Sequence, residues 1–394
     1  MKKLLMATAA TALMAGAAHA EDVKLGILLG FTGPLESLSP NMANGANLAV
    51  DEINASGKFL EGQKVVTVKG DTGCTDSNLA VQSAERLITS DGVKGIIGGM
   101  CSGETGAVLQ NAALPNGVVM ISPSATSPGL STVEDNGLFF RTSPSDARQG
   151  EVMADILKER GFDTVAVTYT NNDYGKGLAD SFAEAFKEQG GTVTMNSAHE
   201  DGKADYSAEV GALASAGGDV LVVVGYIDQG GAGIIKAALD SGAFDTFMFP
   251  DGMVSETLEK NFGSMTEGSF GQHPNAPGDG ADKFREMSAE AGFDSTSAFA
   301  AESYDAAALI LLAMQAAGST DPSVYKEKIM DIANAPGEEI LPGDLGHALE
   351  ILKDGGDIDY VGAAAIELVG NGETAGSYRE IEIKDGRMET VGYR

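Results

Sequence analysis

Two turns built from small residues hold the hydroxyl groups best placed for chemistry in the first third of the chain. Ser102 follows an apolar run, and its hydroxyl can cap the helix that starts there or face an anion. On sequence alone, capping is the simpler interpretation. Ser124, Ala125 and Thr126 lie between two prolines, where they offer N–H groups, carbonyls and hydroxyls without bulk. Such a turn suits a small zwitterion, although flanking prolines also suit a merely rigid loop.

Three further polar side chains follow apolar runs in the second half of the chain. Tyr174 and Tyr226 each present an apolar ring with a polar tip, which suits the mouth of a cleft as well as ordinary packing. Asp251 is followed by glycine, so it forms either a turn or a carboxylate that pairs with a ligand ammonium. Each signal is weak alone, and only their arrangement can identify a site.

Motifs for catalysis and for nucleotide binding are not found in the sequence. After residue 20 the histidines are His199, His273 and His347, whose contexts indicate neither a metal site nor a Ser–His–Asp triad. The segment 175–177 lacks the other residues of a phosphate loop, and 225–233 does not fit the dinucleotide fingerprint. We therefore expect no catalysis, no metal and no cofactor. The alternative from another class is an exported α/β hydrolase or oxidoreductase, which needs a nucleophile–base pair or a cofactor loop.

Short apolar runs alternate with helical patterns along most of the chain, which predicts βαβ crossovers and parallel sheets. Four units precede residue 142 and four follow it, so we expect two doubly wound α/β lobes with short hinge strands and a cleft between them. The predicted strands are Val23–Leu29, Val65–Lys69, Gly95–Gly99, Val118–Ile121, Thr164–Tyr169, Thr192–Asn196, Asp219–Gly225 and Phe247–Phe249. The predicted helices are Gly45–Asn54, Asn78–Thr89, Ser102–Ala113, Gly175–Gln189, Asp205–Ala216, Gln229–Ser241, Asp279–Ala291, Ser297–Ala317 and Pro322–Ala333.

The first twenty residues have the three-part pattern of a secretory signal peptide. Lys2 and Lys3 precede the apolar run Leu4–Ala18, and the small residues around His19 predict cleavage after Ala20. The mature chain then has 374 residues, of which 24 are basic and 57 acidic, with a net charge of −33. Such a chain repels phosphate backbones and anionic membrane surfaces. We therefore expect an exported protein that neither binds nucleic acid nor inserts into a membrane.

Cys74 and Cys101 are the only cysteines in the sequence. An even number in an exported protein favours one disulfide, which closes a loop of about 27 residues and contributes about 3 kcal/mol on a chain-entropy estimate. The alternative is a redox or metal pair, but neither a Cys-x-x-Cys motif nor a neighbouring histidine is present. We predict the disulfide.

Taken together, these turns resemble the periplasmic solute-binding proteins of ABC transporters for branched-chain amino acids, the Leu/Ile/Val-binding type. The resemblance covers nearly all of the chain after residue 20 and is densest in its first 160 residues. Seven segments follow the family's order, which makes the match specific. They are Val23–Pro34, Gly45–Asn54, Asp71–Cys74 with Ile96–Ser102, Ile121–Thr126, Phe140–Asp146, Tyr174–Gly177 and Pro250–Gly252.

The resemblance implies a type I periplasmic binding protein, whose two lobes are crossed three times by the chain and close on one ligand. The implied bounds are 21–142 plus 271–376 for the first lobe and 143–270 plus 377–394 for the second. The implied location is the periplasm, the implied partner is an inner-membrane ABC permease, and we expect a monomer.

The resemblance also implies which groups bind the ligand. The groups for the α-carboxylate, which share in binding the α-ammonium, are Ser102, the backbone around Ser124 and Ala125, and Thr126. The groups on the other lobe are Asp251, which neutralises the ammonium, and Tyr174 and Tyr226, which close over the ligand. Opposite charges on opposite lobes would make closure depend on the ligand, because each end of the zwitterion is satisfied only when the lobes meet.

The chain departs from the family pattern at residue 251, at residue 38 and in the segment 337–359. Many members have Glu where this chain has Asp251, so the charge is kept with one methylene less reach. Leu38 stands where the Leu/Ile/Val-binding type has an aromatic residue, and Phe299 corresponds to an aromatic residue that faces the ligand side chain. The segment 337–359 has its own helical pattern and resembles an insertion found in a subset of relatives. We expect a small, aliphatic α-amino acid; amides, urea-like molecules and aromatic carboxylates are the alternatives.

Overall fold

The computed structural model describes residues 21–394, and the predicted signal peptide at 1–20 lies outside them. In chain order the strands are β1 Val23–Leu29, β2 Val65–Asp71, β3 Ile96–Gly98, β4 Met120–Ser122, β5 Phe139–Pro144, β6 Thr164–Thr170, β7 Thr192–His199, β8 Val220–Val224, β9 Phe247–Phe249, β10 Phe270–Pro274, β11 Glu338–Ile340, β12 Ile358–Tyr360, β13 Leu368–Val369, β14 Glu373–Thr374, β15 Tyr378–Lys384 and β16 Arg387–Tyr393. The α-helices are α1 Ser39–Ser56, α2 Ser77–Arg86, α3 Ser102–Val108, α4 Leu114–Asn116, α5 Asp146–Glu159, α6 Asp173–Glu188, α7 Ser207–Ala216, α8 Gly230–Ser241, α9 Glu256–Phe262, α10 Asp279–Ala291, α11 Ala300–Ala317, α12 Pro322–Ile332 and α13 Leu345–Lys353.

Two seven-stranded sheets form the two lobes. The strand order is β2-β1-β3-β4-β5-β14-β13 in the first sheet and β7-β6-β8-β9-β10-β15-β16 in the second. Where they pair, the first five strands of each sheet are parallel, and the same order 2-1-3-4-5 occurs twice. This is the doubly wound order in which ligands bind beyond the carboxyl ends of the strands. The predicted fold class is confirmed.

The chain crosses between the sheets three times. Strand β5 belongs to the first sheet and β6 to the second, β10 is followed by helices that return to the first lobe, and β14 lies in the first sheet while β15 lies in the second. These short crossings form the expected hinge. The lobe bounds given above stay a prediction, and β5 and β10 run past them by a few residues.

Local sequence explains where the helices differ from the prediction. Helix α1 begins at Ser39, several residues before Gly45, and Pro40 lies in its first turn, where a missing N–H has no cost. The connection between β4 and β5 contains the 3₁₀ turn Pro128–Thr132 in place of an α-helix. Pro128 fixes φ at its first position, and the Ser127 side chain caps it by accepting the N–H of Gly129. Within residues 21–394 no helix is long and apolar enough to cross a bilayer.

The segment 337–359, predicted as an insertion, forms α13 and the parallel pair β11–β12. Half-buried Glu52 and fully buried Asp305 attach it to the first lobe. Glu52 of α1 accepts the backbone N–H of Leu345 at 2.7 Å, at the start of α13. Asp305 of α11 accepts the hydroxyl of Tyr360 at 2.7 Å and the N–H of Ala363 at 2.8 Å. The segment is therefore fixed by its backbone to the first lobe.

The disulfide between Cys74 and Cys101 is present, with the two Cα atoms 5.2 Å apart. It joins the loop after β2 to the residue that precedes α3. The predicted disulfide is confirmed, and it fixes the turn that carries Ser102.

Helices α1 and α11 pack closely at a glycine. A Cβ atom at Gly45 would lie 2.2 Å from the carbonyl oxygen of Ala300, whereas a Cβ at Gly211 in α7 would have nothing within 4 Å. We expect Gly45→Ala to lower the free energy of unfolding by about 1–3 kcal/mol through overpacking. The matched change Gly211→Ala should raise it by about 0.5–1 kcal/mol, because alanine favours a helix. Urea denaturation followed by circular dichroism measures both, and equal shifts in the two variants would contradict the close packing.

Candidate functional site

A cavity of about 260 Å³ lies between the two lobes, at the carboxyl ends of the parallel strands. The cavity is narrow in this structure, because side chains of both lobes approach one another across it. An open groove of about 900 Å³ shares Cys101 and Tyr226 with its wall and leads outward between the lobes. The predicted residues in the wall of the cavity are Ser102, Ser124, Tyr174, Tyr226, Asp251 and Phe299.

Ser102 is the first residue of α3, and Cys101 is the N-cap residue. The capping interpretation of Ser102 is therefore wrong. Glu104 in the first turn serves this end of the helix instead, since its carboxylate accepts the N–H groups of Met100 at 2.8 Å and Cys101 at 2.9 Å. The Ser102 hydroxyl accepts the N–H of Ser127 at 3.1 Å. Because it accepts there, its own hydrogen is free to point into the cavity.

The turn after β4 is held against β3 by serine hydroxyls. Ser122 donates to the carbonyl of Gly99 at 2.6 Å and accepts the N–H of Ala125 at 3.0 Å. Ser124 donates to the carbonyl of Met100 at 2.8 Å. Ala125 and Thr126 are fully buried beside the cavity but are not part of its wall. Within residues 21–394, the Thr126 hydroxyl has no hydrogen-bond partner.

Arg141 on β5 supports this turn from behind and is only 1% exposed. Its guanidinium donates to the carbonyl of Ala125 at 3.1 Å and to that of Ser127 at 3.0 Å. It also donates to the Ser131 hydroxyl at 2.7 Å and forms a salt bridge with Glu373 of β14. The turn is thus fixed through its own backbone, and the same side chain joins the first and third crossings.

The second lobe contributes a carboxylate with two donors of its own. The Tyr174 hydroxyl donates to Asp251 at 2.6 Å, and the N–H of Gly252 donates to the same oxygen at 2.9 Å. Tyr174 stacks on Tyr226 with ring centroids 5.3 Å apart. Asn172 caps α6 and donates to the Tyr226 hydroxyl at 3.2 Å. The two tyrosines therefore form one rigid wall beside the carboxylate.

Two carboxylates are buried close together in this region. Burial raises the pKa of Asp251, although the hydrogen bond from Tyr174 works against this. Asp146 at the start of α5 is 0% exposed, and within the described chain its oxygens have no partner at hydrogen-bond distance. Burial, and then the nearby charge of Asp251, raise the pKa of Asp146 well above its ordinary value. The nearby Thr126 hydroxyl and the Arg141 charge lower the pKa of Asp146 only in part. Asp251 is therefore the acid suited to carry a charge, and Asp146 is suited to stay neutral.

The apolar wall differs from the expectation in one residue. Phe299, Leu35 and Met100 face the cavity, whereas Leu38 lies outside it. Leu38 is the N-cap residue of α1, since this helix starts earlier than predicted, and its buried side chain borders a neighbouring groove between the lobes. Leu35, one turn earlier, takes its place.

Other residues of the wall were also missed. Cys101, Gly252, Leu35 and Met100 line the cavity. For Met100, Cys101 and Gly252 the available signal was their position beside Ser102 or Asp251, in turns already singled out. The histidines are not part of the wall; burial lowers the pKa of His199 to about 4 and that of His273 to about 3. Within residues 21–394 no group of three potential metal ligands occurs.

Comparison with known sequences identifies a family. The chain matches the sequence model described as "Periplasmic binding protein" over residues 22–332. It is 32% identical over 327 residues to the Leu/Ile/Val-binding protein homolog 3 of Brucella melitensis, which covers 82% of this chain and 87% of the relative.

Comparison with solved structures shows the same fold. The leucine-binding protein LivK of Thermotoga maritima gives a TM-score of 0.78 at 24% identity, covering 94% of this chain and 98% of that one. LivJ of Streptococcus pneumoniae in complex with isoleucine gives a TM-score of 0.78 at 23% identity, with coverages of 94% and 98%. At these identities the likeness concerns the fold alone.

The raised pKa of Asp146 gives a pH-dependent stability. A folded-state pKa above the unfolded value means that the folded protein holds the proton more tightly, so this stabilisation is lost as the pH rises. We expect the free energy of unfolding of the wild type to fall relative to that of Asp146→Asn between pH 5 and pH 8. Denaturant titrations at both pH values measure the difference. The control is Asp240→Asn, which changes an exposed carboxylate on α8. If the difference in free energy of unfolding between the wild type and Asp146→Asn stays constant with pH, Asp146 is not a buried neutral acid.

Proposed function

The chain belongs to the periplasmic binding protein family, and on that premise we propose that it captures a small aliphatic α-amino acid between its lobes. In this proposal the protein is exported and its signal peptide is cleaved after Ala20. It then delivers the ligand to an inner-membrane ABC permease. Members of this family are periplasmic binding proteins. We propose that this member is a monomer and that it has neither catalytic activity nor a cofactor. The names of its relatives, Leu/Ile/Val-binding proteins, support a branched-chain ligand.

One observation supports this function above the others: a buried carboxylate and a free hydroxyl face one small cavity from opposite lobes. Asp251 on the second lobe is 2% exposed, and a ligand ammonium would offset its charge. Ser102 on the first lobe can donate to a ligand carboxylate, and Thr126 lies beside it. A zwitterion satisfies both lobes at once, so its binding favours the closed form.

The same carboxylate argues against the alternatives. An aromatic carboxylate without an amine would place a second negative charge beside Asp251, and an uncharged amide or urea-like molecule would leave the buried charge without a cation. Leu35, Met100 and Phe299 surround the remaining space, which favours an apolar side chain.

The ligand class is tested by thermal unfolding of the purified, ligand-stripped protein with leucine, isoleucine, valine and a panel of other amino acids. A ligand at 100 times its Kd adds about 2.7 kcal/mol and raises the Tm measurably. We expect Asp251→Asn to lose about 100-fold or more in affinity, because a buried ammonium would lack its counter-charge. Asp240→Asn is the matched control. No Tm shift with any amino acid would refute the ligand class, and wild-type affinity in Asp251→Asn would move the ammonium partner elsewhere.

The side-chain wall is tested with two leucines close together in the chain. Leu35→Ala should weaken leucine binding about tenfold while changing alanine binding little, because it removes contacts with the larger side chain only. Leu38→Ala should lower the Tm without changing the ratio of the affinities for leucine and alanine. Isothermal titration calorimetry measures both ligands, and an equal effect of the two substitutions on the ratio would contradict the wall described above.

A further inference from the structure

Two hydrogen bonds join the lobes at a point away from the three crossings. The N–H of Ser37 donates to the carboxylate of Asp228 at 2.9 Å. In return, the N–H of Asp228 donates to the carbonyl of Pro34 at 3.2 Å. Ser37 and Pro34 lie between β1 and α1 in the first lobe, and Asp228 lies between β8 and α8 in the second. Within residues 21–394, no other hydrogen bond joins strand-to-helix loops of opposite lobes at a distance from the crossings.

Both loops also form the wall of the cavity. Leu35 lies between Pro34 and Ser37, the two first-lobe partners of Asp228, and Tyr226 lies two residues before Asp228. The N–H of Ile227 donates to the carbonyl of Gly252 at 3.1 Å, which ties this loop to the one that carries Asp251. Asp228 itself is half-buried and is not part of the cavity wall. It can therefore act on the ligand only through closure.

We propose that Asp228 is a latch that stabilises the closed form and thereby sets the affinity for the ligand. This inference rests on the function proposed above. The two hydrogen bonds exist only when the lobes meet, and neither involves a ligand atom. They therefore increase the closed fraction of the free protein as well as the lifetime of the complex. The latch is a property of the protein that adds to the contacts made by the ammonium and the carboxylate.

The latch also limits the size of the ligand side chain. Leu35 faces the cavity and is held between Pro34 and Ser37, the two residues that bond to Asp228. A side chain that fits leaves this loop in place, and the latch forms. A larger side chain displaces Leu35 and moves both partners away from Asp228, so the latch contributes to the binding of the smaller ligand only.

The test compares Asp228→Ala with two other variants. Asp228→Asn keeps an acceptor oxygen, and Asp240→Ala removes an exposed carboxylate from α8 in the same lobe. Ligand dissociation is followed by tyrosine fluorescence, since the chain contains no Trp. We expect leucine to dissociate about tenfold faster from Asp228→Ala, as for the loss of a hydrogen bond to a charged group, with an association rate within about twofold of the wild type. Asp228→Asn should change dissociation about two- to threefold, and Asp240→Ala should not change it.

A size readout separates a latch from a general structural role. Asp228→Ala should weaken the binding of leucine but leave that of phenylalanine unchanged, because the larger ligand prevents the latch in the wild type as well. Equal losses for both ligands, or equal dissociation rates in Asp228→Ala and Asp240→Ala, would overturn the inference.

A ligand-free measurement keeps this inference distinct from the proposed function. Dyes on cysteines introduced at the exposed positions Thr75 and Glu200, on opposite sides of the outer groove, report closure by single-molecule FRET. Asp228→Ala should populate the high-transfer state less than the wild type without any ligand, and identical populations would overturn the latch. If the wild type binds no amino acid, the proposed function fails, and this comparison alone decides the latch.

Discussion

The guanidinium of Arg141 donates to two carbonyls of the binding turn, to the Ser131 hydroxyl and to the carboxylate of Glu373. A buried cation needs all its donors used, and here they are used by the backbone of the turn and by the third crossing. One side chain therefore connects this turn to the hinge. The first-lobe side of the cavity depends on this connection together with the hydrogen bond from the Asp146 N–H to the Thr126 carbonyl at 2.8 Å.

Charge in the closed site is distributed unevenly. Asp251 receives two hydrogen bonds from its own lobe, whereas Asp146 receives none within the described residues. Two adjacent buried carboxylates cannot both ionise without a large cost, so the one with donors carries the charge. Under the proposed function, the protein presents one negative group to the ligand, which matches one ammonium. The carboxylate of the ligand would then meet neutral donors of the first lobe, so binding would change the net charge of the cleft little.

Much of the fold could be predicted because each strand is a short apolar run and each crossover has helical periodicity. Strand β1 coincides with the predicted Val23–Leu29, and the strand order follows from repeated βαβ units. The turns carrying Ser102, Tyr226 and Asp251 were found for the same reason, since the carboxyl ends of parallel strands meet at one edge. The cap at Cys101 was not found, because it depends on hydrogen bonds between neighbouring turns. The helix start at Ser39 was missed although Pro40 signals it, and that earlier start places Leu38 beside a neighbouring groove. The support from Arg141 depends on long-range packing that no local pattern contains.

The bond between Cys74 and Cys101 connects the loop after β2 to the turn that begins α3. Cys101 precedes Ser102 directly, so the turn that carries Ser102 gains this covalent support only in a compartment that oxidises thiols. Before oxidation, this turn would be held by the hydrogen bonds of Glu104, Ser102 and Ser124 without the covalent bond. Under the proposed function, a reduced precursor would therefore bind its ligand less firmly than the oxidised, exported protein.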